Sequence, residues 1–363
     1  MQALVRAFGV LLMLTALAVT LAHAPDRSVD SLVTRWAPPP SDFMYVKGQF
    51  VHFRDEGPKT DPVPLVLVHG TAASLHTWQG WVGDLRARKR VITFDLPGFG
   101  LTGPFTGQYA PGDYRADTLA RFTLDFLDAL HVPRFAIGGN SLGGEVAWRV
   151  AALAPQRVDR LILVDATGYA FVPEHIPVGF QLARVRGLNR LGEFLTPRSV
   201  VEDSVRDVYG DPSRVTGALV DRYFEMMMRE GNRHALNLRM EVIASDLAPE
   251  RIKALTLPTL ILWGGKDRLV PPANAQLFHR DIAGSQLVIF PGLGHVPHEE
   301  DAQQSVAPVR AFLGLDNPPP PAPGTPAARG APATSATSAS SASSATSVAS
   351  VASAAATTSG PPA

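Results

Sequence analysis

Residues 134–153 read RFAIGGNSLGGEVAWRVAAL, and three features of that stretch decide the fold. Residues 134–137 form a short run, apolar after its first residue, of the kind that suits a strand covered on both faces. Residues 145–153 read as a helix. Between them stands Gly138-Gly139-Asn140-Ser141-Leu142-Gly143-Gly144, with a glycine two residues away from Ser141 on each side. A serine on a very tight strand-to-helix turn needs that spacing, because side chains at those positions would collide. The turn pushes the hydroxyl into the open, and the helix behind it directs backbone N–H groups toward developing negative charge. A glycine-rich connection with an incidental serine shares the five-residue pattern; the flanking strand and helix favour the turn.

Similar short apolar runs recur at residues 64–68, 91–94, 160–164, 259–263 and 286–290, most with helical stretches between them. The alternation predicts an α/β fold, a mostly parallel central sheet flanked by helices. Residues 45–54 alternate around Lys47-Gly48 and predict an opening hairpin. In such sheets ligands gather at the carboxyl ends of the strands.

A serine hydroxyl is a poor nucleophile until a base takes its proton. The run at 286–290 leads into Pro291-Gly292-Leu293-Gly294-His295-Val296-Pro297-His298-Glu299-Glu300. His295 follows a glycine that lets the loop bend back over the sheet. His298 is the rival base, close to the start of the last helix, where Glu299 and Glu300 suit the positive dipole end. The acid that orients the imidazole is expected at Asp267, just beyond the run at 259–263. Asp165 ends the run at 160–164 and could also project an acid into the site. Asp95, in Asp95-Leu96-Pro97-Gly98-Phe99-Gly100, better suits a turn. An oxyanion needs two fixed donors: the backbone N–H of Leu142, and a second from His69-Gly70-Thr71-Ala72, at Thr71 with Ala72 as its rival. His69, at the strand exit, reads as a loop-packing residue.

Together, His69-Gly70-Thr71, Asp95-Leu96-Pro97-Gly98-Phe99-Gly100, Gly139-Asn140-Ser141-Leu142-Gly143-Gly144, Trp263-Gly264-Gly265-Lys266-Asp267 and Gly294-His295-Val296-Pro297 resemble the α/β-hydrolase superfamily across residues 43–315. The order Ser141, Asp267, His295 is that of its catalytic triad. The elbow is similar to that of meta-cleavage product hydrolases, which cut a carbon-carbon bond, and to many plain esterases. The resemblance implies no metal and no organic cofactor. Serine in place of aspartate at the elbow disfavours haloalkane dehalogenase and epoxide hydrolase activity. The expected reaction is cleavage of a lipophilic carboxylic ester through an acyl-enzyme; carbon-carbon hydrolysis and a hydrolase-like ligand-binding protein are the alternatives. The resemblance also implies that residues 169–252 are a helical cap between two parts of the body, residues 43–168 and 253–316. Helical periodicity runs through 219–229 and 234–245. Phe224, Met226, Met227 and Met228 either line a lipophilic pocket or, more simply, pack the cap on the body.

The chain of 363 residues is 45% apolar and 18% charged, enough for a large core. Thirty-three basic residues balance thirty-three acidic ones, leaving no overall field to attract nucleic acid. The absence of cysteine excludes disulfides, thiolate metal sites and a cysteine nucleophile. Residues 1–24 read as an export signal or membrane anchor, since residues 7–22 are uncharged and mainly apolar. At about 1.5 Å per residue that run reaches roughly 24 Å, short of the roughly 30 Å hydrocarbon core, which favours a cleaved signal. Pro25, directly after the small-x-small site, argues against cleavage and for a tether. The expected location is accordingly outside the cytoplasm, periplasmic, extracellular or at a membrane. Residues 25–42 are expected to be a linker. The Pro, Ala, Ser and Thr-rich residues 317–363 are expected to be a disordered tail.

Overall fold

A computed structural model of the chain describes residues 1–185, 187–243 and 247–316. The expected tail, and Ala244 and Ser245 at the end of the predicted 234–245 helix, lie outside the described residues.

Eight strands form one sheet: β1 (Ser41–Val46), β2 (Gln49–Glu56), β3 (Leu65–Val68), β4 (Val91–Phe94), β5 (Phe135–Asn140), β6 (Val158–Val164), β7 (Thr259–Gly264) and β8 (Gln286–Phe290). Their order is β1-β2-β4-β3-β5-β6-β7-β8. The pairs β1–β2 and β2–β4 are antiparallel, and every other pair is parallel. The opening hairpin turns at Lys47 and Gly48, with φ of 50° and 87°; two positive-φ residues match the right-handed twist of the flanking strands. β5 runs three residues past the apolar stretch, since Gly138 and Gly139 pair with β3 on one side and β6 on the other.

The sheet is covered on both faces, and β3 shows why its run is uniformly apolar. Val66 and Val68 join one core with Phe122, Phe126, Val146 and Trp148, whereas Leu65 and Leu67 join a second with Trp78, Trp81 and Val306. The first core packs under α4 (Ala116–Ala129), α5 (Leu142–Leu153) and α12 (Ala273–Asp281); the second packs under α3 (Gln79–Leu85) and α14 (Ala302–Phe312).

Between β6 and β7, where a helical cap is expected, the chain forms α6 (Val178–Arg184), α7 (Leu188–Gly192), α8 (Arg198–Val208), α9 (Gly217–Met227) and α10 (Asn232–Val242). Val201, Val205, Tyr209, Val215 and Val220 form a small core, which closes on Val296 of the body. Glu299, on the short helix α13 (Pro297–Glu300), pairs with Arg222 and accepts from the Tyr223 hydroxyl at 2.7 Å, so it clamps the cap rather than serving a helix dipole alone. The expected boundary after residue 252 falls inside α11 (Pro249–Lys253), which packs on α5 and α12 and belongs with the body.

The N-terminal segment differs from a linker. After α1 (Gln2–Ala22), which exposes large apolar side chains such as Leu4, Phe8, Leu11 and Leu14, residues 25–42 contain α2 (Val29–Trp36) and the start of β1. Leu32 is buried with Leu101 and Met226. Glu225 takes Arg27 at 3.0 Å, Arg35 at 2.6 Å and the Trp36 indole at 2.5 Å, and Asp26 pairs with the buried Arg233 at 2.7 Å. A proline-rich composition cannot reveal pairings with residues some two hundred positions away. Among the described residues no helix is long and apolar enough to cross a membrane.

Asp95 holds the loop after β4. Its fully buried carboxylate accepts from Leu75 N–H at 2.7 Å, Leu101 N–H at 2.8 Å and His52 Nδ1 at 2.7 Å. Burial alone would raise its pKa, but the imidazoles of His52, His69 and His76 outweigh burial and hold it below the usual carboxylate range. Asp95→Ala leaves three donors unpaired and is expected to cost about 3 kcal/mol in urea denaturation; a change within about 0.5 kcal/mol would contradict this role.

Candidate active site

Ser141 occupies a backbone conformation that only a tight turn imposes, with φ 56° and ψ −118°. The glycines around it are needed for close approach. A Cβ on Gly139 would fall on the Gly143 carbonyl, one on Gly143 on the Val68 and His69 carbonyls, and one on Gly144 on the Ala166 side chain. The turn is fixed by Ser141 N–H to Val164 O at 3.0 Å and by Glu145 and Thr167 N–H groups to Ser141 O at 3.0 and 3.2 Å. Leu142 is the first residue of α5, so its N–H points out of the helix N-terminus.

His295 stands on the loop after β8, with Nδ1 2.7 Å from Asp267 Oδ2. A carboxylate only accepts, so Nδ1 carries the proton and Nε2 is left as the acceptor. The other oxygen of Asp267 accepts from Leu269 and Val270 N–H, both at 2.9 Å. Both residues are buried, with 4% of His295 and 2% of Asp267 exposed. Asp165, Asp267 and His295 offer ligand atoms within 4.8 Å of one another; a cation there would have to displace the His295–Asp267 hydrogen bond.

Ser141, His295, Thr71 and Ala72 line one cavity of about 180 Å³, roofed by the cap. Its wall is apolar for the most part, with Phe171, Ile176, Phe180, Val201, Val205 and Leu269 among the lining residues. Met227 lines it too, whereas Met226 packs with Leu32 and Leu101, and Phe224 packs in the cap core. Met228 is buried and its carbonyl accepts from Arg27 N–H at 2.7 Å.

The two other histidines weighed for the site, His69 and His298, are occupied elsewhere. His69 donates from Nδ1 to Gly70 O at 2.8 Å and accepts from Leu96 N–H at Nε2, 3.0 Å away, which fits a packing residue. His298 lies against the Trp78 ring at 4.1 Å between centroids and reaches Thr77 Oγ1 at 3.0 Å. Burial pushes its pKa down to about 3, so it is a neutral structural group.

Three residues that the motifs do not single out hold these parts together. Asn140 donates from Nδ2 to His295 O at 2.9 Å and to Val164 O at 3.2 Å, tying the elbow to the His295 loop. The signal for it is a polar side chain at the end of an apolar strand. Glu300 accepts from Gly294 N–H at 2.7 Å, Gly210 N–H at 3.0 Å and Asp211 N–H at 2.8 Å, joining the His295 loop to the cap. Glu145, buried in α5, accepts from Arg149 at 2.8 Å, Thr167 Oγ1 at 2.9 Å and Arg239 of α10 at 3.2 Å.

A family described as alpha/beta hydrolase fold matches residues 63–302 of this chain. The chain is an α/β-hydrolase. Among its relatives is the dihydrolipoyllysine-residue acetyltransferase component of an acetoin cleaving system from Pseudomonas putida, 32% identical over 253 residues, or 69% of this chain. The α/β-hydrolase chain spans 63% of the length of that relative. Lipase 3 of Moraxella sp. is 27% identical over 261 residues, covering 69% of this chain and 76% of the lipase. A solved meta-cleavage product hydrolase from Pseudomonas fluorescens superposes with a TM-score of 0.65 at 26% identity, over 76% of this chain and 98% of that one.

Asn140→Ala removes the tie between the elbow and the His295 loop. Reaction of Ser141 with a fluorophosphonate is expected to slow by between about 10-fold and 100-fold, with only about 1–3 kcal/mol lost in denaturation. Unchanged reactivity, read by intact mass against time, would contradict the role of this contact.

Proposed function

We propose that this α/β-hydrolase cleaves lipophilic carboxylic esters through an acyl-enzyme. The observation that carries the reading is the 2.7 Å bond from His295 to Asp267 beside a mostly apolar cavity shared with Ser141. Ser141 Oγ attacks the carbonyl carbon while His295 Nε2 takes its proton, and Asp267 stabilises the imidazolium that forms. The carbonyl oxygen becomes an oxyanion held by the N–H groups of Thr71 and Leu142, the latter at a helix N-terminus. The intermediate collapses as His295 returns the proton to the departing alcohol. Water then attacks the acyl-enzyme by the same route in reverse, releasing the acid and free Ser141. The residues that carry these steps need no metal or organic cofactor.

The apolar wall favours a neutral acyl chain, and Arg233, which also lines the cavity, is already paired with Asp26. The similarity to a meta-cleavage product hydrolase supports a second reading, hydrolysis of a carbon-carbon bond in a vinylogous diketone with the same serine and histidine. The exposed apolar helix α1 supports export of the chain or its retention at a membrane surface. Cell fractionation is expected to recover the protein outside the cytoplasm, and recovery wholly in the cytosol would exclude export.

The full chain is expected to hydrolyse p-nitrophenyl esters, with rates that depend on acyl length. Ser141→Ala is expected to lower kcat/KM by at least about 10³-fold. Equal rates for the two proteins would remove Ser141 from the mechanism, and turnover of a ring-fission diketone without any esterase activity would favour the second reading.

A further inference from the structure

Asp165 directly follows β6, beside Asp267 and His295, and is not used in the reaction above. It is fully buried, and its φ of 45° lies in the left-handed region, which a residue with a side chain occupies only when its surroundings hold it there. One carboxyl oxygen accepts from Gly264 N–H at 2.8 Å. The other, Oδ2, is buried without a hydrogen-bond partner among the described residues. A carboxyl oxygen of Asp165 lies within 4.8 Å of both an Asp267 oxygen and a His295 nitrogen.

Two carboxylates cannot both stay ionised at that separation in a dry site; one keeps a proton. Asp267 has three donors, from His295, Leu269 and Val270, whereas Asp165 has one. The proton therefore belongs to Asp165, and on Oδ2 it makes a donor of the oxygen that otherwise has no partner among the described residues. Burial and then the neighbouring charge of Asp267 both raise the pKa of Asp165 well above the usual carboxylate value, and Glu300 acts in the same direction.

We propose that Asp165 is a second positioning acid of the triad: it shares one proton with Asp267, and it takes over the orientation of His295 when Asp267 is lost. In the native protein Asp165 donates to Asp267 and steadies its carboxylate. Without Asp267 burial still raises the Asp165 pKa, but the neighbouring negative charge is gone. Asp165 then gives up its proton when the His295 imidazolium, with a nitrogen within 4.8 Å of an Asp165 oxygen, supplies the opposite charge. This rests on the triad reading, but not on the choice of ester as substrate.

The test is the second-order rate of Ser141 modification by diisopropyl fluorophosphate, in which an Oγ–P bond forms, fluoride leaves and the proton passes to His295. The full chain is compared with D165N, D267A and D267A/D165N, each with its melting temperature, and with Ser141→Ala as the blank. Asparagine at 165 still donates but cannot ionise, so D165N is expected to lose less rate than D267A. D267A is expected to slow the reaction by about 30- to 100-fold, and the double variant by about 10⁴-fold. Should D267A melt early, D267N against D267N/D165N gives the same comparison. Equal rates in the single and double variants would overturn the proposal. So would a 100-fold loss in D165N at an unchanged melting temperature, because Asp165 would then act as a charge. Labelling of the native serine in this pattern, without any ester turnover, would leave the inference standing while the substrate reading fails.

Discussion

The strained turn at Ser141 is the constraint on which the rest of the site depends. A side chain held at φ 56° and ψ −118° costs about 1–3 kcal/mol, so the conformation persists only where its surroundings over-determine it. Backbone contact does this: Gly143 packs against the carbonyls of Val68 and His69, and Gly139 against Gly143. β3 and β5 must lie side by side for that contact to exist, and their parallel pairing from Leu65 to Val68 provides it. The sheet thereby fixes where the hydroxyl emerges, and α5 fixes where the first free N–H points.

The second half of the site is mounted on a loop and is held by hydrogen bonds rather than by packing alone. The carbonyl of His295 is gripped by Asn140, its N–H by Val208 O of the cap at 2.8 Å, and the preceding Gly294 by Glu300. These contacts join the cap to the His295 loop, with Arg222, Tyr223 and Glu299 forming a further clamp. Arg239 reaches from α10 to Glu145, which also holds Thr167 against the elbow. Any displacement of these helices must act through these contacts, so it is coupled to the position of His295.

Much of this was legible in the sequence because it is local. Runs such as 91–94 and 286–290 coincide with β4 and β8, and the Lys47-Gly48 turn lies where alternation changes. The residues proposed for the reaction stand at strand ends, where glycine spacing and chain order mark them. What was not legible is long-range. Asp26 with Arg233, Glu225 with Arg27 and Arg35, and Glu300 with Gly210 pair residues far apart in the chain, and no window of sequence contains both partners. For the same reason residues 25–42 read as a linker although α2 is bound to the cap. Asp165 was legible as an acid near the site, but its relation to Asp267 follows only from the adjacency of β6 and β7.

The most direct test of the central claim is a crystal structure of the protein after reaction with an alkyl phosphonate. The account predicts a phosphorus atom bonded to Ser141 Oγ. Its oxygen should lie between the N–H groups of Thr71 and Leu142, its alkyl chain along the wall formed by Phe180 and Val205, and His295 Nε2 within hydrogen-bond reach of the adduct. An adduct on another residue, or one whose oxygen points away from both amides, would contradict it.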